Sequence, residues 1–302
     1  MNQYTYVMSI SNAVKQKIQK LKTEFDTLKQ GKQSLLNLIA EVELSEGVYN
    51  SNAIENSTLT LQETEKILLE LSVSREVSVR EVFEAKNLAR VMKYIEAKSQ
   101  AEEVSSEIIL FLHEMLLTGI NDDIAGRYRS FGEYVRVGTH IAPAPEQIQT
   151  LLTEAFVEYS GNINSFVIDK IALFHLHFEV VHPFNDGNGR IGRVLINFQL
   201  LRSGFPPIIV PFSERSQYYK SFKDFEYKSK PSAMANLFAQ LTIESLHKRI
   251  AYLKGTTFVT LIEYARKNTL SQSNMLNKAK RQTIPAFREK GVWMIDGAWS
   301  EK

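Results

Sequence analysis

Residues 182–193 read HPFNDGNGRIGR, and this stretch carries the clearest chemical signal in the chain. The glycines on both sides of Asn188 let the backbone turn its N–H groups to one side, with no Cβ in the way. We expect a helix to start near Asn188, directly after the loop. Such a loop at a helix N-terminus favours an anion, because unpaired N–H groups and the helix dipole both attract negative charge.

Four charged or titratable side chains surround this loop. Arg190 and Arg193 are three residues apart, so they share one helix face and suit a di- or triphosphate. Asp186 has the chemistry to hold Mg²⁺ together with phosphate oxygens. His182 ends the preceding helix, and an imidazole with a pKa of about 6.5 is suited to take a proton from a hydroxyl. Phe184 is expected to pack inward. A base, a metal ligand, an anion nest and two arginines predict phosphoryl-type transfer.

The composition excludes several classes of protein. The 302 residues are 44% hydrophobic and 23% charged, which is typical of a globular chain with a sizeable core. A net charge of +2 gives no strong field for nucleic acid or acidic lipid. The absence of cysteine excludes disulfides and thiolate chemistry. No secretion signal and no apolar stretch of roughly 20 residues is evident, so we expect a cytoplasmic protein without a membrane span.

Helical spacing dominates the pattern and predicts an all-α fold. Apolar residues at positions 14, 18, 21, 25 and 28 form one stripe. Ser51 or Asn50 is expected to cap a short helix after a break in the chain. Further helices are predicted over 35–44, 62–71, 79–97, 105–117, 145–159, 166–181, 188–202, 215–227 and 233–252, two short ones within 270–290, and a strand at 292–295.

The stretch 182–193 resembles the signature of the Fic family, HxFx(D/E)GNGRxxR, and fills every fixed position. The resemblance implies an all-helical Fic/Doc core over 105–250 and a protein adenylyltransferase, a nucleotidyltransferase that moves AMP from ATP to a Ser, Thr or Tyr hydroxyl of a target protein. It implies His182 as the general base and Asp186 as the Mg²⁺ ligand. The residues implied for ATP phosphates are Gly187, Asn188 and Gly189 through their backbone, Arg190 beside them, and Arg193 at the γ-phosphate.

Two further segments are similar to parts of the family fold. The segment Val135, Arg136, Val137 and Gly138 resembles a β-hairpin flap that docks the target by strand addition. Tyr218 and Tyr219 resemble an aromatic pair beside the adenine, although aromatic residues at helical spacing are also typical of a core.

An inhibitory motif precedes the core. Residues 51–56 read SNAIEN and resemble the family pattern (S/T)xxxE(G/N), with Ser51, Glu55 and Asn56 at its fixed positions. The resemblance implies that Glu55 pairs with Arg193 and occupies the place of the γ-phosphate. It also implies an N-terminal helical region over 1–104. When the inhibition by Glu55 is relieved, it implies transfer of AMP to the protein itself.

The C-terminal region, 251–302, resembles a small winged helix with a basic helix at 276–288. Such a module binds DNA in some proteins and protein partners in others, and a homo-oligomer is also left open. The residues leave open removal of AMP, transfer of another phosphate-containing group, and a nucleotide-sensing DNA-binding regulator.

Overall fold

The structure is a computed structural model that describes residues 10–300. The expected absence of a secretion signal concerns the first residues of the chain, and residues 1–9 lie outside the described part. Within the described part, no helix is long and apolar enough to cross a membrane.

Helices make up most of residues 10–300. The helices are α1 (Asn12–Leu28), α2 (Gln33–Ile54), α3 (Leu61–Leu68), α4 (Val79–Lys98), α5 (Ser106–Leu117), α6 (Ile148–Gly161), α7 (Val167–Val181), α8 (Asn188–Arg202), α9 (Arg215–Lys228), α10 (Ser232–Lys254), α11 (Leu261–Lys267) and α12 (Gln272–Lys280). The strands are β1 (Arg136–Val137), β2 (His140–Ile141), β3 (Phe258–Thr260), β4 (Phe287–Glu289) and β5 (Val292–Asp296). Single 3₁₀ turns cover Pro145–Gln147 and Phe212–Glu214.

The described residues form two compact units, and α2 and α10 each contribute to both. The predicted boundaries at 104/105 and 250/251 stay predictions. The first unit comprises residues 44–204 and 209–235. Its core is built from apolar faces of α4, α5, α7 and α8, including the fully buried Leu88, Leu112, Phe178 and Phe198. This core holds the ends of α7 and α8, between which the signature loop lies.

The second unit comprises residues 10–43, 205–208 and 236–300. Its three-stranded antiparallel sheet has the order β3-β5-β4, and α11 and α12 lie between β3 and β4 in the chain. Thr260 begins α11 with a capping box, since its side chain and that of Glu263 satisfy each other's backbone N–H groups. The winged-helix interpretation of this region stays a prediction, as does its role.

Two local predictions are wrong. The predicted break near Asn50 and Ser51 does not occur, because α2 runs unbroken through Ile54 and neither residue is a cap. The polar side chains bond to other groups instead: Asn50 donates to the Glu46 carbonyl at 2.8 Å, and Ser51 accepts from Arg193. A buried helix tolerates such residues when they have partners.

The second helix predicted within 270–290 is also wrong. After α12 the chain turns at Gln282, which has a φ of 53°, and residues 287–289 form a strand instead. The Gln282 amide donates to the carbonyls of Ala279 and Ala286, which fixes the turn. Pairing of Phe287 with Met294 on β5 then outweighs the helical pattern.

Candidate active site

His182 lies at the corner where α7 ends. Its backbone is left-handed, with φ 47° and ψ 61°, and this conformation ends a helix by turning the chain off the axis. The buried Arg129 holds this corner: its Nε donates to the His182 carbonyl at 2.9 Å, and its backbone N–H donates to the Pro183 carbonyl at 2.9 Å. The imidazole therefore has a defined place at the start of the signature loop.

The surroundings of His182 keep its ring neutral. Burial lowers its pKa to about 4, because the imidazolium is poorly solvated there, while a hydrogen bond to the backbone of Glu179 raises the pKa. The Glu179 carboxyl lies 3.8 Å from the His182 Nδ1. Burial also raises the pKa of this carboxyl to about 8. At neutral pH the ring is thus in the form that accepts a proton.

Gly187 makes the turn from the loop into α8. Its φ is 82°, a left-handed conformation that favours glycine. A Cβ here would lie 3.1 Å from Leu117 and 3.2 Å from Leu116, so the loop also lies close against α5. The N-terminus of α8 therefore starts in a tight backbone turn, as the glycine pattern predicts.

The side chains of Asn188 and Phe184 shape the loop from within. The Asn188 amide accepts from the Phe184 N–H at 2.9 Å and donates to the Phe184 carbonyl at 2.8 Å. Phe184 is fully buried and stacks on His113, with ring centroids 3.7 Å apart. The inward packing expected for Phe184 is confirmed. Both bonds of the Asn188 side chain are made to Phe184 within the loop, so the backbone of Asn188 is the part that can bind a phosphate.

Asp186 sits at the loop edge between two arginines. Its Oδ1 accepts from the Gly187 N–H at 2.6 Å and from Arg190 Nη2 at 3.0 Å, and its Oδ2 accepts from Arg80 Nη2 at 2.6 Å. Burial would raise the pKa of Asp186, but Arg190, the Gly187 N–H and Arg80 together lower it below its usual value. The group is a carboxylate at neutral pH.

This carboxylate fits Mg²⁺ only when phosphates share the coordination. Within residues 10–300, no group of three or more acidic or histidine side chains could hold a metal. Mg²⁺ commonly takes one or two carboxylates and completes its shell with water and substrate phosphates. Asp186 beside an anion-binding loop matches that donor set.

Arg190 is buried within a ring of four charges. Its Nη1 contacts Glu84 Oε1 at 3.1 Å, and the same Glu84 oxygen contacts Arg80 Nε at 3.1 Å. Asp186 bridges both arginines and closes the ring. Through Arg80 and Glu84, the start of α4 therefore orients two residues of the signature loop.

Arg193 is held by the last turn of α2. Its Nε donates to the Ser51 hydroxyl at 2.9 Å, and its Nη2 donates to the Ser51 carbonyl and to Glu55 Oε1, each at 2.9 Å. The guanidinium is buried. The structure thus brings together the two residues of the predicted inhibitory pair, although 138 positions separate them in the sequence.

The Glu55 carboxylate also lies over the loop. A Cβ added at Gly189 would overlap Glu55 Oε1 and lie 3.1 Å from Arg193 Nη1. That Nη1 is buried and has no hydrogen-bond partner among the described residues. A negative group of this protein therefore occupies the face of the loop predicted to bind an anion.

Asn56 is the last residue of the segment 51–56 that is predicted to be inhibitory. Its backbone is left-handed, with a φ of 70°, and ends α2. Its Oδ1 accepts from Arg215 Nη2 at 2.9 Å, which ties the segment to α9.

The flap is a very short hairpin. Strands β1 and β2 pair Arg136 with Ile141 and Val137 with His140, and Gly138 turns with a φ of 61°. Val135 precedes the strand, and its carbonyl accepts from the Ala142 N–H. Only two residues are paired on each side of the hairpin.

The two tyrosines have different environments. Tyr218 is 1% exposed, and its hydroxyl lies 2.8 Å from His175 Nε2. Tyr219 is half-buried; its hydroxyl donates to the Ile54 carbonyl at 3.3 Å, and its ring faces Arg215. Tyr219 is the more accessible of the two. The adenine contact of this pair stays a prediction.

Sequence reasoning missed several residues of the site. Arg80 and Glu84 reach the loop from α4, and Arg129 reaches it from the segment before the flap. His140 anchors the flap, since its ring contacts the Val180 carbonyl at 2.9 Å and Glu226 at 3.0 Å. None of these residues belongs to a motif, and no local pattern singles them out.

Part of the chain matches a known family. Residues 103–200 match the sequence model of the Fic/DOC family. The chain is 35% identical over 178 residues to Protein adenylyltransferase Fic from Nematostella vectensis. The matched region covers 57% of this chain and 41% of that protein. It is 30% identical over 248 residues to Protein adenylyltransferase fic-1 from Caenorhabditis elegans, covering 80% of this chain and 45% of that protein. The chain thus spans less than half the length of these relatives.

Solved structures share the fold. A Fic domain-containing signaling protein from Bacteroides thetaiotaomicron matches with a TM-score of 0.71 at 26% identity, covering 80% of this chain and 98% of that one. Fic-1 from Caenorhabditis elegans matches with a TM-score of 0.69 at 27% identity, covering 79% of this chain and 71% of that one. The predicted mostly helical Fic fold is confirmed, and the chain therefore contains a Fic/DOC-family domain, matched over residues 103–200.

Proposed function

We propose that this protein is an adenylyltransferase that moves AMP from ATP to a hydroxyl side chain of a target protein, and that Glu55 inhibits it. The observation that carries the proposal is the pairing of Glu55 with Arg193 over Gly189. A carboxylate there marks the face of the loop that attracts anions. The names of the adenylyltransferase relatives point to ATP as the source of that anion.

The proposed reaction assigns each residue one task. The target hydroxyl oxygen bonds to the α-phosphorus, the α–β phosphoanhydride bond breaks, and pyrophosphate leaves. His182 takes the hydroxyl proton, which its neutral ring at pH 7 allows. The backbone of the Gly187–Gly189 turn and the buried Arg190 hold the phosphates, and Arg193 is the group for the γ-phosphate.

Asp186 is the residue that would hold Mg²⁺ beside these phosphates. The ion, when bound, neutralises phosphate charge as the leaving group departs. Asp186 itself stays ionised, because neighbouring donors keep its pKa below its usual value. The charge ring with Glu84 and the arginines sets the direction of this carboxylate.

The target would approach along the flap. The hairpin edge at Arg136 and Val137 is exposed, as are the side chains of Phe131, Tyr134 and Ile141. An exposed strand edge pairs with an extended peptide through main-chain hydrogen bonds. This arrangement supports a protein segment, rather than a small molecule, as the acceptor of AMP.

Inhibition follows from competition for Arg193. While Glu55 occupies the guanidinium, a γ-phosphate has to displace a carboxylate already in place. Couplings of this kind are typically about 1–3 kcal/mol, or roughly 5- to 150-fold. Removal of the Glu55 carboxylate should therefore raise the rate of AMP transfer within that range.

The test is incubation with Mg²⁺ and α-labelled ATP, with label and protein mass as readouts. Three proteins are compared: wild type, Glu55→Gly and Glu55→Gly/His182→Ala. We expect Glu55→Gly to gain the mass of AMP less water on itself and the double variant to gain none. Equal labelling of wild type and Glu55→Gly would overturn the inhibitory role. Labelling from γ-labelled but not α-labelled ATP would overturn AMP as the transferred group.

A further inference from the structure

Oδ2 is the oxygen of Asp186 that is suited to bind a metal, but the Arg80 guanidinium already contacts it. Oδ1 is fixed by the Gly187 N–H and by Arg190. Among residues 10–300, Oδ2 accepts only from Arg80, at 2.6 Å. Any ion that coordinates Asp186 without breaking the loop has to use Oδ2, so it meets the guanidinium of Arg80 there.

The two arginines on Asp186 differ in how freely they move. The Arg190 side chain is 4% exposed and is fixed by two carboxylates, whereas the Arg80 side chain is 57% exposed. Arg80 lies in the first turn of α4, after the cap residue Ser78. It also contacts Glu84, one turn along the same helix. Arg80 can therefore release Asp186 and turn toward solvent while it keeps Glu84 as a partner.

Simultaneous contact of both cations with Oδ2 is unfavourable. Each stabilises the same negative charge, and at contact distances their mutual repulsion offsets that gain. Mg²⁺ binds its ligands at about 2.0–2.1 Å in octahedral order, so an ion on Oδ2 would lie close to a guanidinium that contacts the same oxygen. Binding of one cation at Oδ2 therefore weakens binding of the other.

We infer that Arg80 is an exchangeable counter-ion of Asp186 that Mg²⁺ has to displace, and that this exchange sets how strongly the metal promotes nucleotide binding. The inference rests on the proposed function, because it takes Asp186 as the ligand of a nucleotide-bound Mg²⁺. It assigns Arg80 a regulatory role distinct from that of Glu55. Glu55 competes with phosphate, whereas Arg80 competes with metal.

The experiment measures ATP affinity by calorimetry, once with a chelator and once with excess Mg²⁺. Every protein carries Glu55→Gly and His182→Ala, so that the anion site is open and ATP is not consumed. The ratio of the two affinities is the gain due to metal. Arg80→Ala should enlarge this gain about 2- to 5-fold, the range expected for loss of a half-exposed ion pair.

Two variants act as matched controls. Arg75→Ala removes another exposed arginine with a 2.6 Å ion pair, but its partner is Glu63 on α3 and not a residue of the signature loop. Arg80→Lys keeps a cation in reach of Asp186. In both variants, Mg²⁺ should raise the affinity for ATP by the same factor as in the parent protein. A general effect of lost positive charge would instead change the Arg75→Ala gain by the same factor, and this outcome would overturn the inference.

The outcomes separate this inference from the proposed function. If all proteins bind ATP and the increase in affinity due to Mg²⁺ is unchanged or smaller in Arg80→Ala, Mg²⁺ does not displace Arg80 from Asp186. The adenylyltransferase proposal is unaffected by that result. If the parent binds no ATP under either condition, the proposed function fails and the inference fails with it. Thermal unfolding of each variant shows whether a lost affinity reflects a lost fold.

Discussion

Arg193 donates from its Nε to the hydroxyl of Ser51 at 2.9 Å, and from its Nη2 to the carbonyl of the same residue. The last turn of α2 thus binds the guanidinium by its backbone and by a side chain. Glu55, one turn further on, adds the charged contact. Residues 51–55, the segment proposed to be inhibitory, therefore hold Arg193 in one orientation as well as covering it.

The Ser51 hydroxyl should contribute a measurable part of the inhibition. In Ser51→Ala, Arg193 Nε loses its buried acceptor while Glu55 remains, so the hold on the guanidinium weakens. A buried hydrogen bond to a charged group is typically worth about 1.5–3 kcal/mol, and water that enters the site recovers part of it. We expect AMP incorporation to rise roughly 3- to 10-fold above wild type but to stay below Glu55→Gly.

Ser203→Ala is the matched control for this measurement. The Ser203 hydroxyl donates to the Gln199 carbonyl at the far end of α8, and the rate should stay at the wild-type level. A wild-type rate in Ser51→Ala would mean that the hydroxyl contributes nothing to the inhibition.

Gly187 should be far less tolerant of alanine than Gly132. Both glycines are left-handed, with φ values of 82° and 84°, so alanine adds about 1–2 kcal/mol of backbone strain at either position. Only at Gly187 does the new Cβ also meet Leu116 and Leu117, whereas nothing lies within 4 Å at Gly132. Such crowding typically costs about 1–3 kcal/mol more.

Urea unfolding of Gly187→Ala and Gly132→Ala measures this difference directly, because the strain they share cancels. We expect the Gly187 variant to be the less stable by about 1–3 kcal/mol, and to lose AMP transfer. Equal losses of stability would show that α5 does not constrain the loop.

Much of this site could be predicted because its signals are local. The glycines, His182 and Asp186 lie within one short stretch whose spacing reports a loop and a helix start. The helices of the first unit follow from apolar residues at helical spacing. The unbroken α2 was missed because asparagine and serine favour caps on their own, and only tertiary partners such as Arg193 keep Ser51 in a helix.

The supporting residues could not be predicted, since they act across long separations. Arg80 lies 106 positions from Asp186, and Arg129 lies 53 positions from His182. A surface arginine and a buried one look alike in a sequence. Only the folded arrangement of α4 and the flap segment shows which carbonyls and carboxylates they reach.

Arg129 should be essential to the position of His182. Its side chain is buried and donates to four carbonyls, those of His182, Glu133, Pro143 and Val181. Lysine keeps the charge but lacks the planar fork that reaches several acceptors at once. Arg129→Lys should therefore cost about 1–3 kcal/mol of stability and reduce the rate of AMP transfer.

Arg127→Lys provides the comparison, because Arg127 makes a half-exposed ion pair with Glu133 at 2.7 Å. Exposed pairs are worth about 0–1 kcal/mol, so this variant should be close to wild type. The Glu55→Gly background makes the rates measurable. If Arg129→Lys transfers AMP as fast as Arg127→Lys, the corner at His182 does not depend on this arginine.

Glu179 should make stability depend on pH in an unusual direction. Burial raises its pKa to about 8 in the folded protein, from an ordinary value of 4.5. Between these values the folded state binds the proton and the unfolded state does not, so the free energy of unfolding falls as pH rises. Glu179→Gln lacks this proton, and its stability relative to wild type should increase from pH 6 to pH 8, by at most about 1.4 kcal/mol per pH unit. The lowered pKa values of His175 and His182 act equally in both proteins and cancel in the difference.

Urea unfolding at pH 6, 7 and 8 tests this pH dependence. Glu63→Gln is the control, since the pKa of Glu63 is about 2 and its effect on stability is constant over that range. A stability difference between Glu179→Gln and wild type that stays constant with pH would mean that Glu179 is ionised in the folded protein, and His182 would then have a charged neighbour.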